Sequence, residues 1–252
     1  MSEIYTHNLM AYDGLKILQK DDSFRFSLDS LLLGDFVEIK SRDRNLLELG
    51  SGAGAILLYL SLKTKIRLLG VDIQKEMVDL ANESIKLNKL ENQIEIFNQD
   101  IKTIYTMFPS SSFDVLVSNP PFFKVNELRM INKNENLSLS RHEVGITFKE
   151  ILIAAKKILK TSGSFFFIHR AARLEELVSD LQEEKFVIKR LRFVYTKRGN
   201  EALMVLVEAK YNGNTGNLKV LEPLYIYNNL NEYTEEVKRI FHLGEESNVK
   251  KL

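Results

Sequence analysis

The chain has 252 residues but no cysteine, no tryptophan and only four prolines. The lack of cysteine excludes disulfide bonds, thiolate metal sites and any reaction that needs a cysteine nucleophile. No apolar run approaches the roughly 18 residues that a membrane-spanning helix needs. The first residues also lack the basic segment and apolar core of a secretory signal. These absences lead us to expect a cytoplasmic protein that does not contact a membrane.

Charge and hydrophobic content are those of an ordinary globular protein, because 44% of the residues are hydrophobic and 27% are charged. The length favours one large domain with small additions at its ends. The formal net charge of +1 leaves the class of partner open, since a nearly neutral total can hide a basic face.

The central part of the chain alternates between strand and helix patterns. Short apolar runs predict strands at residues 46–49, 66–71, 94–97, 113–118, 164–168, 187–195 and 202–209. Helical spacing predicts helices at residues 53–62, 75–87, 148–159 and 174–184. Only residues 196–201 connect the last two strands, which is too short for a parallel crossover. The sequence therefore predicts an α/β fold, a Rossmann-like, doubly wound, mostly parallel seven-stranded sheet with an antiparallel C-terminal strand hairpin.

Both ends of the chain lie outside the central domain of residues 45–211. Asp13-Gly14 lies between apolar-rich runs and predicts a hairpin. Ser27 is placed to cap a helix over residues 28–39. We therefore predict that residues 1–44 form an N-terminal hairpin and helix packed on the core. Residues 212–252 are predicted to form a C-terminal tail with a short helix at 235–241.

The first central strand ends in the glycine-rich run Gly50-Ser51-Gly52-Ala53-Gly54, which a helix follows. Glycines let the backbone turn sharply and let a ligand lie against it, while amides at the helix start face that ligand. Asp72 ends the second strand, 22 positions after Gly50, where a carboxylate accepts hydrogen bonds from ribose hydroxyls. The pattern predicts a nucleotide-containing ligand. It also fits the looser dinucleotide pattern that ends in alanine, here Ala55.

Two of the four prolines are adjacent, in Asn119-Pro120-Pro121-Phe122, directly after the predicted strand 113–118. Proline cannot continue a strand ladder, and it keeps the preceding residue out of the helical region. Asn119 is thereby held at a strand tip, with a carbonyl acceptor and an aromatic ring that suit a planar NH2 group. A plain strand-ending turn is the alternative, but the glycine-rich run upstream favours a binding site.

Three features favour S-adenosylmethionine over a dinucleotide as the ligand. Glu48 precedes the first glycine, Gln99-Asp100 follows the third strand, and Asn119 follows the fourth, next to the point where such sheets bind ligands. On these residues the chain resembles the class I S-adenosylmethionine-dependent methyltransferases over residues 24–211. It is most similar to the small-domain group with an Asn-Pro-Pro-Phe or Asn-Pro-Pro-Tyr motif, whose members methylate exocyclic or amide nitrogens.

Two further segments narrow the resemblance. Residues 24–33 and Ser140-Arg141-His142-Glu143 are similar to the bacterial tRNA adenine-N6 methyltransferases that modify the adenine 3′ of the anticodon, with valine tRNA as the expected substrate. Ser27 and Ser30 stand where that group more often has Gly and Ala, and both are small enough for a close backbone approach. The lack of cysteine excludes the alternative of cytosine-C5 methylation, which needs a thiolate.

The resemblance implies a set of site residues. The predicted catalytic residues are Asn119, Pro120, Pro121 and Phe122. The Asn119 side-chain oxygen and the Pro120 carbonyl would accept the two N–H bonds of the adenine amine, and Phe122 would stack on the base. No strong general base and no metal are required, because the methylated nitrogen loses its proton to water. The predicted cofactor-binding residues are Phe26, Ser27, Glu48, Gly50, Gly52, Gly54, Asp72, Ile73, Asp100, Ile101 and Asn119.

Binding of tRNA also requires cations. Residues 185–198 carry six basic residues and no acidic one, and further basic residues lie in the long polar segment 123–146. Their contacts with phosphates would position the RNA and make binding sensitive to salt, whereas an ordinary solvated face is the alternative. The predicted RNA-binding residues are Lys124, Arg129, Lys133, Arg141, His142, Arg190, Arg192, Lys197 and Arg198.

Three other functions stay open. A protein methyltransferase acting on glutamine N5 would use the same amide-binding motif, but the roughly 40 residues before the first central strand are few for a substrate domain. An rRNA guanine-N2 methyltransferase of the same motif group often has duplicated domains, and the sequence has no repeat. A non-catalytic dinucleotide-binding domain would bind a nicotinamide cofactor without methyl transfer. A monomer is the favoured oligomeric state.

Overall fold

The computed structural model describes residues 4–9, 14–20, 28–121 and 145–243. Its first part is an antiparallel hairpin of β1 (Ile4–Asn8) and β2 (Lys16–Lys20), followed by helix α1 (Leu28–Phe36). The hairpin is present as predicted. Asp13 and the predicted cap Ser27 lie outside the described residues.

Helix α1 ends at Phe36, before the predicted end at residue 39. The Nζ atom of Lys63 donates hydrogen bonds to the carbonyl oxygens of Gly34 (3.0 Å), Asp35 (2.6 Å) and Val37 (2.8 Å). The end of a helix leaves such carbonyls without intrahelical partners. A lysine that lies far away in the sequence therefore supports this helix end, and no pattern within residues 28–39 reveals it.

The central part alternates strands and helices as predicted. The longest described helix has 13 residues, and none in the described ranges is long and apolar enough to cross a bilayer. The strands are β3 (Asn45–Leu49), β4 (Arg67–Asp72), β5 (Ile94–Asn98), β6 (Phe113–Ser118), β7 (Leu159–Arg170), β8 (Phe186–Tyr195) and β9 (Ala202–Tyr211). The helices are α2 (Ala55–Ser61), α3 (Lys75–Leu87), α4 (Phe148–Ile158) and α5 (Leu174–Glu183), with 3₁₀ segments at Ile101–Thr106 and Ala171–Arg173.

These strands form one sheet in the order β8-β9-β7-β6-β3-β4-β5. Strands β3 to β7 pair in parallel, whereas β9 is antiparallel to both β7 and β8. The chain moves from β3 outward to β4 and β5, then returns to β6 on the other side of β3. The order of the sheet thus reverses between β3 and β6, and ligands bind at the carboxyl ends of the strands at such a point.

The core lies on both faces of the sheet, as β7 illustrates. Phe166 and Ile168 belong to the cluster that includes residues of α1, α2 and α3, whereas Phe165 and Phe167 belong to the cluster with α4 and α5. All four side chains are fully buried. A strand covered on both sides needs apolar residues at successive positions, which explains the continuous run in the sequence.

The residues after Tyr211 pack on the far edge of the sheet. Two short strands, β10 (Lys219–Val220) and β11 (Leu224–Tyr225), pair in parallel with β8, so the sheet has nine strands where seven are predicted. Helix α6 (Glu235–Ile240) matches the predicted terminal helix. Its buried Val237 and Ile240 join the core cluster that contains Leu224. Strands of two residues are too short to leave a pattern in the sequence.

Candidate active site at the carboxyl edge of the sheet

The glycine-rich run forms the loop between β3 and α2, as predicted. Gly50, Gly52 and Gly54 have φ angles of +76°, +49° and +80°, a left-handed region that residues with a side chain rarely adopt. A Cβ added to Gly54 would lie 3.0 Å from Ile96 Cδ1. Glycine is therefore required here both for the backbone conformation and for the packing against β5.

Four backbone amides of this loop are already bonded within the protein. The amides of Gly50 and Ser51 donate to the Val71 carbonyl (2.9 and 3.0 Å), and that of Gly54 donates to the Ser51 carbonyl (2.8 Å). The Gly52 amide donates to Asp72 Oδ2 at 2.8 Å. These bonds fix the shape of the loop. These four amides are therefore not available to a ligand.

Asp72 ends β4 and is 7% exposed. It accepts hydrogen bonds from the amides of Gly52 (2.8 Å) and Gln74 (2.9 Å). Burial raises the pKa of its carboxyl, while the Gln74 and Gly52 amides act in the opposite direction. Because a carboxylate has about four acceptor positions, Asp72 can fix the loop and still accept bonds from hydroxyl groups.

Glu48, the residue before the last position of β3, is 2% exposed. Its Oε2 atom has no hydrogen-bond partner among the described residues, and neither has the buried Oγ atom of Ser51. Burial, followed by the charge of Asp72, raises the pKa of Glu48 well above its ordinary value, and a hydrogen bond from the Leu57 amide opposes this. Buried polar atoms without partners are costly. These two fit a ligand that brings a cation or a hydrogen-bond donor.

The end of β5 supplies the next predicted residues. Asp100 Oδ1 accepts a hydrogen bond from the Lys102 amide at 2.8 Å and so begins the 3₁₀ segment. Ile101 is 8% exposed, and a Cβ added to Gly50 would lie 3.9 Å from its Cδ1 atom. Ile73 exposes 44% of its surface after β4. Asp100, Ile101 and Ile73 thus lie at the same edge as the glycine loop.

Asn119 follows β6 and is half-buried. Its Nδ2 atom donates to the Ser30 Oγ atom of α1 at 3.4 Å, which turns the carbonyl oxygen Oδ1 away from Ser30. The neighbouring Ser118 donates from Oγ to the Leu49 carbonyl at 2.8 Å and joins the ends of β6 and β3. Pro120 is buried and Pro121 is exposed. Asn119 therefore lies at the point where the sheet order reverses.

Ser118 supports the candidate site and was not predicted from the sequence, whereas Ser30 was singled out for its small size and not as a partner of Asn119. The sequence does indicate a role for Ser118, because a hydroxyl at the end of the apolar run 113–118 needs a hydrogen-bond partner once it is buried. For Ser30 it indicates nothing beyond the small size, because its partner Asn119 is 89 positions away.

Lys197 and Arg198 lie in the connection between β8 and β9. The carboxyl end of β8 is at the same edge of the sheet as that of β7, because β9 is antiparallel to both. Lys197 Nζ donates to Asn231 Oδ1, and the Arg198 guanidinium lies 5.5 Å from the centre of the Tyr225 ring. Arg198 is exposed. These two predicted RNA-binding residues share an edge with Asn119.

The structure does not bring Arg190 and Arg192 to that edge, because both lie within β8. The side chain of Arg190 is 18% exposed and pairs with Glu38 (3.1 Å) and Glu208 (3.2 Å). That of Arg192 is 15% exposed and pairs with Glu236 of α6 at 2.8 Å. Both guanidinium groups hold elements of the fold together.

Eight predicted site residues lie outside the described residues. They are Phe26, Ser27, Phe122, Lys124, Arg129, Lys133, Arg141 and His142. The described residues of the candidate site at this edge are the glycine loop, Glu48, Asp72, Ile73, Asp100, Ile101, Asn119, Pro120 and Pro121.

Comparison with known proteins agrees with this architecture. A family model described as a methyltransferase domain matches residues 40–243. A tRNA1(Val) (adenine(37)-N6)-methyltransferase from Phocaeicola vulgatus is 30% identical over 190 residues, which cover 75% of this chain and 78% of that protein. A protein of the same name from Bacteroides thetaiotaomicron is 26% identical over 220 residues, covering 86% of this chain and 89% of that protein.

Solved structures share the fold at lower sequence identity. A predicted O-methyltransferase from Agrobacterium tumefaciens is 18% identical with a TM-score of 0.65, covering 85% of this chain and 95% of that one. A SAM dependent methyltransferase from Aquifex aeolicus is 17% identical with a TM-score of 0.51, covering 73% and 98%. The family model covers most of the chain, and the chain covers most of both relatives. The chain therefore belongs to the methyltransferase domain family.

Proposed function

We propose that this protein transfers the methyl group of S-adenosylmethionine to N6 of the adenine 3′ of the anticodon in valine tRNA. The observation that supports this most directly is the position of Asn119, held by Ser30 at the reversal point beside the glycine loop. Two relatives named for this activity match 75% and 86% of the chain. The proposal includes tRNA as the partner, a cytoplasmic location and a monomeric state.

The described residues fit the cofactor. Glu48 Oε2 and Ser51 Oγ offer buried atoms without partners, and Asp72 retains acceptor positions for the ribose hydroxyls. Asp100 and Ile101 would flank the adenine of the cofactor beside Gly50. When bound, S-adenosylmethionine supplies an electrophilic methyl group on a positively charged sulfur.

Asn119 and Pro120 would hold the amine that accepts the methyl group. The lone pair of an adenine amine is delocalised into the ring, so the amine is a poor nucleophile. The Asn119 Oδ1 atom and the Pro120 carbonyl would each accept one N–H bond, which pulls the nitrogen from a planar toward a pyramidal geometry and directs its lone pair at the methyl group. Holding two reactants in line can lower the activation free energy by about 7–11 kcal/mol. The Pro-Pro pair keeps both acceptors in place because its φ angles are fixed.

The remaining predicted residues would bind the RNA. An adenine that is stacked in RNA must be turned out to reach such a pocket, which favours a loop as the target. Phe122 is proposed to stack on that base. Lys197 and Arg198 would contact phosphates at the same edge of the sheet. Arg190 and Arg192 are not part of this surface, because acidic side chains of the protein already pair with them.

The experiment is to incubate the protein with radiolabelled S-adenosylmethionine and bulk tRNA, digest the RNA and separate its nucleosides. We expect label in N6-methyladenosine, and no label when the adenine 3′ of the anticodon is replaced by guanine in a valine tRNA transcript. Label in N6-methyladenosine from the replaced transcript would contradict the proposed position.

Glutamine N5 methylation of a protein is the second candidate, because the same two acceptors would hold a side-chain amide. In that case label would appear in a protein substrate such as a release factor and not in tRNA. A parallel incubation with the Asn119→Ala variant separates this site from contaminating activities in either assay.

A further inference from the structure

We infer that Gln19 is a further binding residue of this active site and that its side-chain NH2 group donates to the carboxylate of the amino-acid part of the cofactor. The inference rests on the proposed function and adds a residue that would bind the proposed cofactor. Gln19 lies in β2, in the N-terminal hairpin, and no pattern in the sequence assigns it to the site.

Gln19 has an unsatisfied hydrogen-bonding group. It is 5% exposed, and its Nε2 atom has no hydrogen-bond partner in the part of the chain that the structure describes. Four buried side-chain atoms in the described ranges share this property. Two of them, in Glu48 and Ser51, lie in the glycine loop region, and a third, in Arg190, lies beside Glu208 at 3.2 Å. Gln19 alone among the four has neither an ion pair nor a place in the predicted site.

The docking of the hairpin places Gln19 toward the carboxyl edge. The amide of Lys16 donates to Asn88 Oδ1 at 2.8 Å, and that of Leu18 donates to Ser84 Oγ at 2.9 Å. Later residues of β2 therefore lie beside earlier residues of α3. Gln19 follows Leu18 and is displaced toward the start of the helix, which is the end next to Asp72.

Gln19 also faces the correct side of its strand. Successive side chains of a strand point in opposite directions, so Gln19 shares a face with Ile17. Ile17 is fully buried in the cluster that contains Met77 and Ala81. These helix residues border the glycine loop, because a Cβ added to Gly52 would lie 4.0 Å from Met77 Cε, and one added to Gly54 would lie 3.5 Å from Ala81 Cβ.

The chemistry of the site explains why a donor is needed. The cofactor carries a carboxylate, and Glu48, Asp72 and Asp100 offer only acceptors when ionised. The amides of Gly50, Ser51, Gly52 and Gly54 are bonded within the protein, so the Ser51 hydroxyl and the Gln19 NH2 group are the donors of uncharged side chains that are buried without a partner in the described ranges. An amide NH2 group brings donors without a charge, so it can be buried in the unliganded protein and donate to a carboxylate when the ligand binds.

The test compares two ligands that differ in the amino-acid part. The full-length protein is titrated by calorimetry with S-adenosylhomocysteine, which has the carboxylate, and with methylthioadenosine, which lacks it. Gln19→Met removes the donor at similar volume. We expect its Kd for S-adenosylhomocysteine to rise about 10-fold or more, the loss of a hydrogen bond to a charged group, and its Kd for methylthioadenosine to stay unchanged.

Two further variants sharpen the result. Gln19→Glu keeps the shape but opposes one carboxylate with another, so it is expected to bind S-adenosylhomocysteine more weakly than Gln19→Met does. Gln93→Met is the matched control, because Gln93 Nε2 donates to the Thr64 carbonyl (2.7 Å) at the opposite edge of the sheet. It is expected to bind both ligands as the wild type does.

The outcomes separate this inference from the proposed function. If Gln19→Met weakens the binding of both ligands equally, or of neither, the role of Gln19 is overturned. The proposed cofactor still stands in that case, provided that the wild type binds S-adenosylhomocysteine. A wild type that binds neither ligand overturns both. A loss confined to S-adenosylhomocysteine supports the assignment.

Discussion

At the residue scale, the site combines acceptors that the fold leaves partly unsatisfied with neighbours that fix their direction. Glu48 keeps a buried oxygen without a partner, whereas Asp72 is held by two backbone amides. Asn119 is anchored through its nitrogen, so its oxygen is the end that faces away from Ser30. A site of this kind costs stability before the ligand arrives, because the ligand completes the hydrogen bonds.

The Ser30–Asn119 bond predicts a measurable effect on turnover. Ser30→Ala removes the group that orients the amide, so we expect kcat to fall about 5-fold while the cofactor affinity is kept. Asn119→Ala removes the acceptor itself and is expected to lower kcat by about 100-fold or more. Single-turnover methylation and calorimetry measure the two quantities.

A double-mutant cycle distinguishes orientation from a general loss of structure. If Ser30 acts through Asn119, adding Ser30→Ala to Asn119→Ala causes no further loss. Ser30→Thr retains the hydroxyl and should restore most of kcat. Losses that simply add would contradict the positioning role.

The buried carboxyl of Glu48 predicts how stability changes with pH. Its pKa is raised above the ordinary value of 4.5 in the folded protein, so the folded chain holds the proton more tightly than the unfolded chain does. The contribution of Glu48 to the free energy of unfolding therefore falls as the pH rises from about 4.5 through the raised pKa. Glu48→Gln carries no titrating proton, so we expect its Tm to exceed that of the wild type increasingly between pH 5 and pH 8.

Thermal unfolding of both proteins at several pH values tests this sign. The charge of Asp72 contributes to the raised pKa of Glu48, so the difference between the two Tm values reports the titration of Glu48 together with its coupling to Asp72. A constant difference across the range would show that Glu48 is ionised without cost. The same variant is expected to bind S-adenosylhomocysteine more weakly, since an NH2 donor replaces one carboxylate oxygen and the negative charge is lost.

At the element scale, the strands were predictable because both faces of the sheet are covered, which produces continuous apolar runs. The boundaries were less predictable. Helix α2 begins at Ala55, later than the predicted residue 53, because Gly54 adopts a left-handed conformation. Strand β7 extends beyond the predicted 164–168 because its ends pair with β6 and β9. Partners distant in the sequence decide these ends.

The end of α1 offers a test of such a distant partner. Lys63→Met removes three hydrogen bonds to the carbonyls of Gly34, Asp35 and Val37. We expect the free energy of unfolding to fall by about 1 kcal/mol, because part of the loss is replaced by water. Urea denaturation measures it.

The matched control for this variant is Lys65→Met. Lys65 is an exposed lysine two positions along the same loop. We expect its substitution to leave the unfolding free energy nearly unchanged. Equal effects of the two variants would mean that the contacts of Lys63 do not support the helix.

At the scale of the whole molecule, the alternation of strands and helices was enough to predict which strand ends meet. This alternation alone predicts that the glycine loop, Asp72 and Asn119 lie at one edge of the sheet. The sequence did not predict which groups the basic side chains of β8 contact. Arg190 and Arg192 pair with Glu38 and Glu236, from segments far away in the chain. The basic stretch of residues 185–198 thus has two parts. Arg190 and Arg192 join elements of the fold, whereas Lys197 and Arg198 lie at the hairpin tip, on the edge of the sheet that carries the candidate site.

This division predicts how the protein binds tRNA. Replacing both Lys197 and Arg198 by alanine should raise KM for tRNA and lower the slope of log K against log salt by about 1 to 2, because up to two phosphate contacts are lost. The affinity for S-adenosylhomocysteine should not change. The control pair Lys65→Ala and Arg67→Ala removes the same charge at the opposite edge, where β4 begins. If both pairs alter the salt slope equally, tRNA responds to overall charge and the hairpin tip has no specific role.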